Sequence, residues 1–433
     1  MTFHESLPPL PLHPPGPPRR VAIVGAGVVG LSCALWLQRC GHTVTLVDRE
    51  PPAAGAAYTG AASFGNACTM AFGACIPVAS PGVLARVPAM LLERRSPLAI
   101  FWRDLPRLLP WLAEFVRAST PAQVERITAV LGGLLRLAEA GHAPLIEASR
   151  ADALIRRAGC LYLYKTPRSF AAAQREIALR ARERVGMEIL DAEAVRAAEP
   201  ALAPLYHKAV RFTDTYFVDD PRAYALALAE TVRRQGGTFV RGEAAGIAGT
   251  PEHVDVHLGT RVLQAERVVL AAGAWSGRLA ASVGDRLRLD TERGYHVMFP
   301  DGAGLLGAPC CYPEHGFYMT PLRSGLRAAG TVELGGLGRP PRPVRTDTIA
   351  AVARTLVPGL SRAGSDWLGF RPSMPDSLPA IGPSPADARV IHAVGHGHIG
   401  LTLAGITGRI VCDLIDGRAP PLDITPLRPT RFA

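Results

Sequence analysis

The stretch Val21–Asp48, VAIVGAGVVGLSCALWLQRCGHTVTLVD, decides the fold. Val21 to Val24 is a short apolar run, the pattern of a parallel strand buried on both faces. It leads into Gly25, Gly27 and Gly30, a G-x-G-x-x-G. Leu31 to Arg39 carries the apolar period of a helix, stopped by Gly41. A second β-rich run, Thr43 to Val47, ends in Asp48, 18 residues beyond the last glycine. This is a complete βαβ unit of the dinucleotide-binding type. Gly25 permits the tight turn, Gly27 lets the backbone approach a pyrophosphate, and Gly30 lets helix and strand pack closely. The helix N-terminus offers free N–H groups and partial positive charge to the phosphate. Asp48 can accept hydrogen bonds from ribose hydroxyls. The motif alone does not separate FAD from NAD.

The rest of the composition bounds the answer. At 433 residues, with 48% apolar residues, the chain is long enough for two domains with a full core. The net charge of +10 comes from 45 Arg and only two Lys, Lys165 and Lys208, scattered along the chain. It forms no basic stripe with interleaved aromatics, so a nucleic-acid partner is not expected. The eight cysteines contain no C-x-x-C and no His/Cys group at zinc spacing, so they read as small hydrophobes in a reducing, cytoplasmic setting. His396 and His398 form an H-x-H without nearby acidic or Cys partners in sequence; a loop role is expected there, and no metal. Residues 1–19, Pro-rich, read as a disordered extension. No run of 18 uninterrupted apolar residues occurs, so no transmembrane helix is expected.

Further along, Ala53 to Gly82 is a long irregular stretch containing SFGNACTM (Ser63–Met70), rich in residues that allow close backbone approach to a flat ligand. Val83 to about Arg157 is helical in pattern. Within it, PLAIFWRDLPRLLPWLAEFVRA (Pro97–Ala118) has two readings: the helical part of a second domain, or an amphipathic face that touches a membrane. Pro106 and Pro110 are expected to break any long interfacial helix there. ERVVLAAGAWS (Glu266–Ser276) is a second strand opening into a Gly turn, in the sense required of a parallel sheet. Residues 290–335 read as successive strands. A Gly-rich loop, VGHGHIGLT, feeds a final helix.

The ordered set GAGVVG with Asp48, SFGNA, VVLAAGAWS, ERGYHVMF, FRPSMPDSLPAIG and GHGHIGLT resembles the D-amino acid oxidase superfamily of FAD-dependent oxidoreductases, from about Arg20 to Gly417. Within it the chain is most similar to bacterial D-amino acid dehydrogenases of the small-subunit type and to glycine oxidases. The resemblance implies FAD as cofactor. It also implies an α/β fold, a Rossmann-like FAD-binding domain with an interleaved α+β substrate domain on a mainly antiparallel sheet. The FAD-binding pieces would be 20–82, 200–285 and 366–420, the substrate pieces 83–199 and 286–365, and 421–433 a C-terminal tail.

By the same resemblance Gly25, Gly27, Val28, Val29, Gly30, Asp48 and Arg49 would hold the ADP half. Ser63 and Asn66 would border the isoalloxazine, and Ala272, Gly273 and Trp275 would lie beside the dinucleotide. Gly395, His396, Gly397, Gly400, Leu401 and Thr402 would lie near the pyrimidine end of the flavin. Arg371 matches the position that grips a substrate carboxylate, for which a planar guanidinium fork is suited. Tyr295, His296 and Tyr318 are candidates either to line the pocket or to sit in the sheet core. His398 stands where glycine oxidases carry a second arginine.

The implied activity is oxidation of D-amino acids to 2-oxo acids and ammonia, with electrons leaving to a quinone or other respiratory acceptor at the inner face of the cell membrane. Alternatives are a glycine- or sarcosine-type oxidase producing peroxide, a D-proline or hydroxy-D-proline dehydrogenase, and an FAD-binding electron-transfer subunit. The oligomeric state is open.

Overall fold

The computed structural model describes residues 10–11, 16–93 and 96–432. A six-stranded sheet runs in the order Thr238–Arg241, Thr43–Asp48, Arg20–Val24, Arg267–Leu270, Val390–Val394, Ala380–Pro383. The first five strands are parallel; the last pairs antiparallel with Val390–Val394. Near-continuous apolar runs such as Val21–Val24 suit it, because both faces are covered. One face packs on helices Val28–Arg39, Pro221–Arg234, Gly400–Ile415 and Pro121–Ser149. The other packs on helix Ser276–Val283 and a three-stranded antiparallel sheet, Gly246–Gly249, Val254–Leu258 and Arg261–Ala265.

The second large sheet is mainly antiparallel. Its order is Asp366–Ser373, Asp290–Phe299, Gly325–Leu334, Phe317–Leu322, Cys310–Tyr312, Cys160–Tyr164, Lys208–Phe212, Met187–Asp191, with Leu98–Ile100 joining at Gly325–Leu334. Helix Pro343–Leu356 covers one face and makes a separate core with Tyr295, Val297, Phe299 and Phe317. The opposite face looks toward the six-stranded sheet's ligand end.

This layout moves three expected domain boundaries. Lys208–Phe212 and Asp366–Ser373, assigned above to FAD-binding pieces, are strands of the antiparallel sheet. Helix Pro121–Ser149, assigned to the substrate piece, packs on the FAD-side helices: a Cβ at Gly141 or Gly405 would overlap the other helix's backbone. Of the expected disordered extension, residues 1–9 and 12–15 lie outside the described residues. Leu10 packs against the core and the Pro11 carbonyl accepts from Arg409 Nη1 at 2.7 Å, so the chain is docked at these two positions.

The prolines of the 97–118 segment do not break it. Helix Leu105–Ala118 runs through both, with Pro106 in the first turn, where the missing N–H costs nothing. Leu108 and Trp111 are buried, and Trp111 Nε1 donates to the Ser373 carbonyl at 3.1 Å. Leu98–Ile100 belongs to the antiparallel sheet, so this segment is part of the second domain. Trp102, Leu109 and Val116 remain exposed. The helical segment Gly397–Ile415 is long and apolar enough to span a membrane, but 78% of its apolar 18-residue window is buried within the protein, as in a core helix.

The cysteines divide. Cys33, Cys68, Cys75, Cys160, Cys310 and Cys311 are free and buried. Cys40 and Cys412 depart from the small-hydrophobe reading: they are joined as a disulfide between the end of helix Val28–Arg39 and helix Gly400–Ile415.

Candidate active site

The ligand ends of strands Arg20–Val24, Thr43–Asp48 and Arg267–Leu270 open into a cavity of about 770 Å³, which extends to the face of the antiparallel sheet. That is where open parallel sheets bind ligands.

Its dinucleotide end is built from backbone. Gly25 takes φ +109°, a conformation closed to most side chains. Gly30 does not line the cavity. It packs on the loop, where a Cβ would overlap the Gly25 carbonyl, and so brings helix and strand together. Gly27 caps helix Val28–Arg39, and a Cβ there would meet nothing within 4 Å; the same holds for Gly273. Both glycines face open cavity, so backbone N–H groups are exposed to a phosphate. Val28, Val29, Ala272 and Trp275 also line this end, and Arg49 lies 4.1 Å over the Trp275 ring. Asp48 lines it too, while its carboxylate accepts from Ala26 N at 2.7 Å and Glu50 N at 2.8 Å and so pins the loop.

The middle is bordered by Ser63 and Asn66 on one side and His396, Gly397, Gly400, Leu401 and Thr402 on the other. Tyr58 and Ser63 hydroxyls meet at 3.2 Å, and Thr402 Oγ1 accepts from Ala71 N at 3.0 Å. Buried His142 holds the start of helix Gly400–Ile415: its Nε2 lies 3.0 Å from the carbonyls of Leu401 and Thr402. Burial pushes this histidine down to about 4, so the ring is neutral at pH 7 and donates. Gly395 is absent from the wall; with φ +78° it makes the turn that tucks against Met374. The two histidines of the H-x-H diverge. His396 Nε2 meets Thr407 Oγ1 at 3.0 Å, and His398 Nε2 meets Glu292 Oε2 at 2.7 Å.

The far end lies over the antiparallel sheet. Arg371 crosses Gly294, where a Cβ would overlap its guanidinium. Arg371 Nη1 donates to the Thr331 carbonyl at 3.0 Å; Nε and Nη2 make no hydrogen bond among the described residues. Glu292, directly opposite Arg371 on the adjacent strand, lines the cavity with His398, Thr331 and Tyr318. Tyr318 and Tyr162 hydroxyls are in contact, and Arg180 borders the cavity beyond Tyr162. Burial pushes Tyr318 well up, so it stays protonated.

Two of the three candidates either to line the pocket or to sit in the sheet core do not line the cavity. Tyr295 faces the helix-covered side of its strand, and its hydroxyl donates to Glu333 Oε1 at 3.0 Å beside Arg293. His296 is on the cavity side but beneath the Ser63–Asn66 loop: it stacks on Trp367, and its Nδ1 lies 2.9 Å from the Gly65 carbonyl. Strand alternation separates the two. The same alternation places Glu292 with Gly294 and His296, a signal present in ERGYHV that points two residues upstream of the tyrosine and histidine singled out above. Arg180 and Tyr162 come from a distant helix and strand, and no local motif marks them.

The arrangement fits FAD. Open space before two glycines lies at the mouth of the βαβ unit, an acid ends the second strand, and a second helix N-terminus borders the cavity's middle.

A family model described as FAD dependent oxidoreductase matches residues 20–414. The chain is 37% identical to a D-amino-acid oxidase of Bradyrhizobium diazoefficiens over 96% of this chain and 99% of that protein. It is 32% identical to a D-amino acid dehydrogenase of Cereibacter sphaeroides over 95% of each. Among solved structures, a glycine oxidase from Geobacillus kaustophilus shares the fold with a TM-score of 0.72 at 23% identity, covering 96% of this chain and 99% of that one. An L-proline dehydrogenase from P. horikoshii does so with a TM-score of 0.69 at 17% identity, covering 97% and 98%.

Proposed function

This chain belongs to the FAD-dependent oxidoreductase family and is an enzyme that uses FAD; from that premise we propose that it oxidises D-amino acids to 2-oxo acids and ammonia. The observation that carries this reading is Arg371. It is a half-buried guanidinium at the far end of the cavity, with only Nη1 hydrogen-bonded among the described residues. Its remaining N–H groups suit the two oxygens of an α-carboxylate. The names of the relatives support an amino acid in that place.

Gly25, Gly27, Val28, Asp48 and Gly273 would hold the ADP half, and Ser63, Asn66 and Gly400–Thr402 would border the flavin ring. When bound, FAD would supply the two-electron acceptor for the α-hydrogen and its electron pair. Arg371 fixes the carboxylate and so fixes which face of the α-carbon is presented. Tyr318, protonated, and Thr331 flank the same space. The N-terminus of helix Gly400–Ile415 directs partial positive charge into the middle of the cavity and would favour negative charge on a group held there. The imino acid that leaves hydrolyses in water to the 2-oxo acid and ammonia.

The electrons go to a respiratory quinone, with the protein on the inner face of the cell membrane. The support is the exposed set Trp102, Leu109 and Val116 beside Arg103 and Arg117. A second reading, oxygen as acceptor, is favoured by the name of the 37% identical relative. Reoxidation of the reduced protein separates the two. Rapid reoxidation by quinone analogues with slow peroxide formation in air supports the first, and rapid stoichiometric peroxide replaces it with the second. The reading as a whole is tested by exposing the anaerobic protein to D- and L-amino acids, glycine, sarcosine and D-proline. Bleaching of the flavin by D-amino acids is expected; bleaching by sarcosine or D-proline alone reassigns the substrate.

A further inference from the structure

The cavity has an end that an amino acid held by Arg371 would not fill. In the antiparallel sheet Arg371 lies on Asp366–Ser373, first in strand order, and Tyr162 on Cys160–Tyr164, the sixth. The Arg371 guanidinium crosses Gly294 and reaches the Thr331 carbonyl on the third strand. Three strand spacings, roughly 14 Å, then remain before Tyr162. Tyr318, on the fourth strand, meets the Tyr162 hydroxyl with its own, so this pair stands between the two ends.

Beyond the pair the wall is apolar, with one cation. Tyr162, Leu131, Ala74 and Ile76 line it with Arg180. Arg180 is the one residue of helix Gln174–Arg182 on the cavity wall, so its side chain reaches there and the helix backbone does not. Its Cζ lies 5.9 Å from the Tyr162 ring centre and 5.4 Å from that of Phe212. Burial raises the Cys75 thiol to about 11 and the Arg180 charge opposes this, so the guanidinium is a neighbour of the Ala74–Ile76 strip. Arg180 is 7% exposed, and its Nη1 donates to Glu176 Oε2 at 3.3 Å, a carboxylate half in solvent. Nε and Nη2 make no hydrogen bond among the described residues. Ala74, Ile76 and Val78 alternate along one stretch and all line the cavity, and Val78 is 37% exposed. An apolar wall therefore runs from beside Arg180 out to the surface.

We propose that this end of the cavity, walled by Tyr162, Leu131, Ala74 and Ile76, binds the ring of a quinone acceptor with one carbonyl on Arg180, a site that rests on the quinone reading above and says where that acceptor sits. The carbonyl oxygen accepts from the free N–H groups of the guanidinium, and the planar ring lies against the aromatic and aliphatic wall. Uptake of electrons puts negative charge on that oxygen, which a charged donor favours. Each quinone takes the two electrons and two protons removed from one amino acid and leaves as the quinol. Quinone and amino acid fit at once, because the tyrosine pair lies between them.

The test follows reoxidation of photochemically reduced, oxygen-free holoenzyme by 2,3-dimethoxy-5-methyl-1,4-benzoquinone in stopped flow, with reduction by D-alanine measured separately. Arg180→Met, similar in length and uncharged, should raise the half-saturating quinone concentration about 10-fold or more, the usual size for hydrogen bonds to a charged group. Arg180→Lys should recover part of this. Ala74→Phe, which fills the space beside the guanidinium and keeps Arg180, should also weaken the quinone. In the parent protein, excess pyruvate, a carboxylate for the Arg371 end, should leave the half-saturating quinone concentration unchanged. Competition between pyruvate and the quinone overturns the site, as does an Arg180→Met protein reoxidised like the parent. Variants that slow reduction and reoxidation by one common factor show a merely structural role and overturn it too, and an effect on reduction alone gives this end to the substrate. If oxygen reoxidises the parent and the quinone does not, the acceptor reading fails and takes the site with it, while bleaching by D-alanine keeps the substrate reading.

Discussion

Glu292 and Arg371 stand directly opposite each other on adjacent antiparallel strands, and both line the cavity. Glu292 is buried and Arg371 half-buried, and the guanidinium's charge helps hold the Glu292 carboxyl below its usual range. Arg371 keeps hydrogen-bonding capacity to spare, since its one hydrogen bond among the described residues is to the Thr331 carbonyl.

Arg371→Ala should therefore keep FAD bound and weaken the D-amino acid. A charged bidentate contact of this kind is worth roughly 2 to 5 kcal/mol, so kcat/KM should fall about 30-fold or more. Arg371→Lys should recover only part, because an ammonium cannot reproduce the fork. Gly294→Ala, which displaces the guanidinium, should change kcat/KM in the same direction by less. Steady-state kinetics on flavin-loaded protein check all three; parent-like turnover by Arg371→Ala places the carboxylate anchor elsewhere.

A second expectation concerns Gly27. Its Cβ would meet no protein atom within 4 Å, so Gly27→Val should fold. The added side chain fills the space before the helix N-terminus, and the purified variant should be colourless. Circular dichroism and flavin absorbance read the two halves separately; a yellow, folded Gly27→Val variant contradicts the pyrophosphate site.

The buried histidines set an acid limit. His142 is pushed by burial from an ordinary 6.5 to about 4, and His396 likewise to about 4. Between those values the unfolded chain binds more protons than the folded one, so stability rises with pH through that window and falls as pH drops from 6.5 toward 4. At pH 5 each costs about 2 kcal/mol relative to pH 7 or above. His142→Gln should thus be less acid-sensitive by about that amount, measured as urea unfolding at pH 5 and pH 7.5. Equal pH dependence in variant and parent contradicts a neutral His142 in the fold.

Much of this was legible from local pattern. The βαβ unit, the AAGAWS turn and the final Gly-rich loop each carry their own backbone requirement, and Gly25, Asp48, Gly273 and Thr402 all reach one cavity. What was missed depends on contacts between distant strands. Tyr295 and His296 are adjacent in sequence, yet pleating sends them to opposite faces, and Glu292 enters the site by that same alternation. Pro106 and Pro110 looked like breaks because their place within the helix was unknown; the first sits where a helix needs no donor. Cys40 and Cys412 are 372 residues apart, and only the packing of their two helices brings them together.

The central claim is that Arg371 presents a D-amino acid, carboxylate first, to the bound FAD. Its most direct test is an anaerobic single turnover with the D- and L-enantiomers of one amino acid, reading flavin absorbance and 2-oxo acid together. The account predicts full bleaching and one 2-oxo acid per flavin with the D-form, and neither with the L-form. Equal bleaching by both enantiomers, or bleaching by the L-form alone, would contradict it.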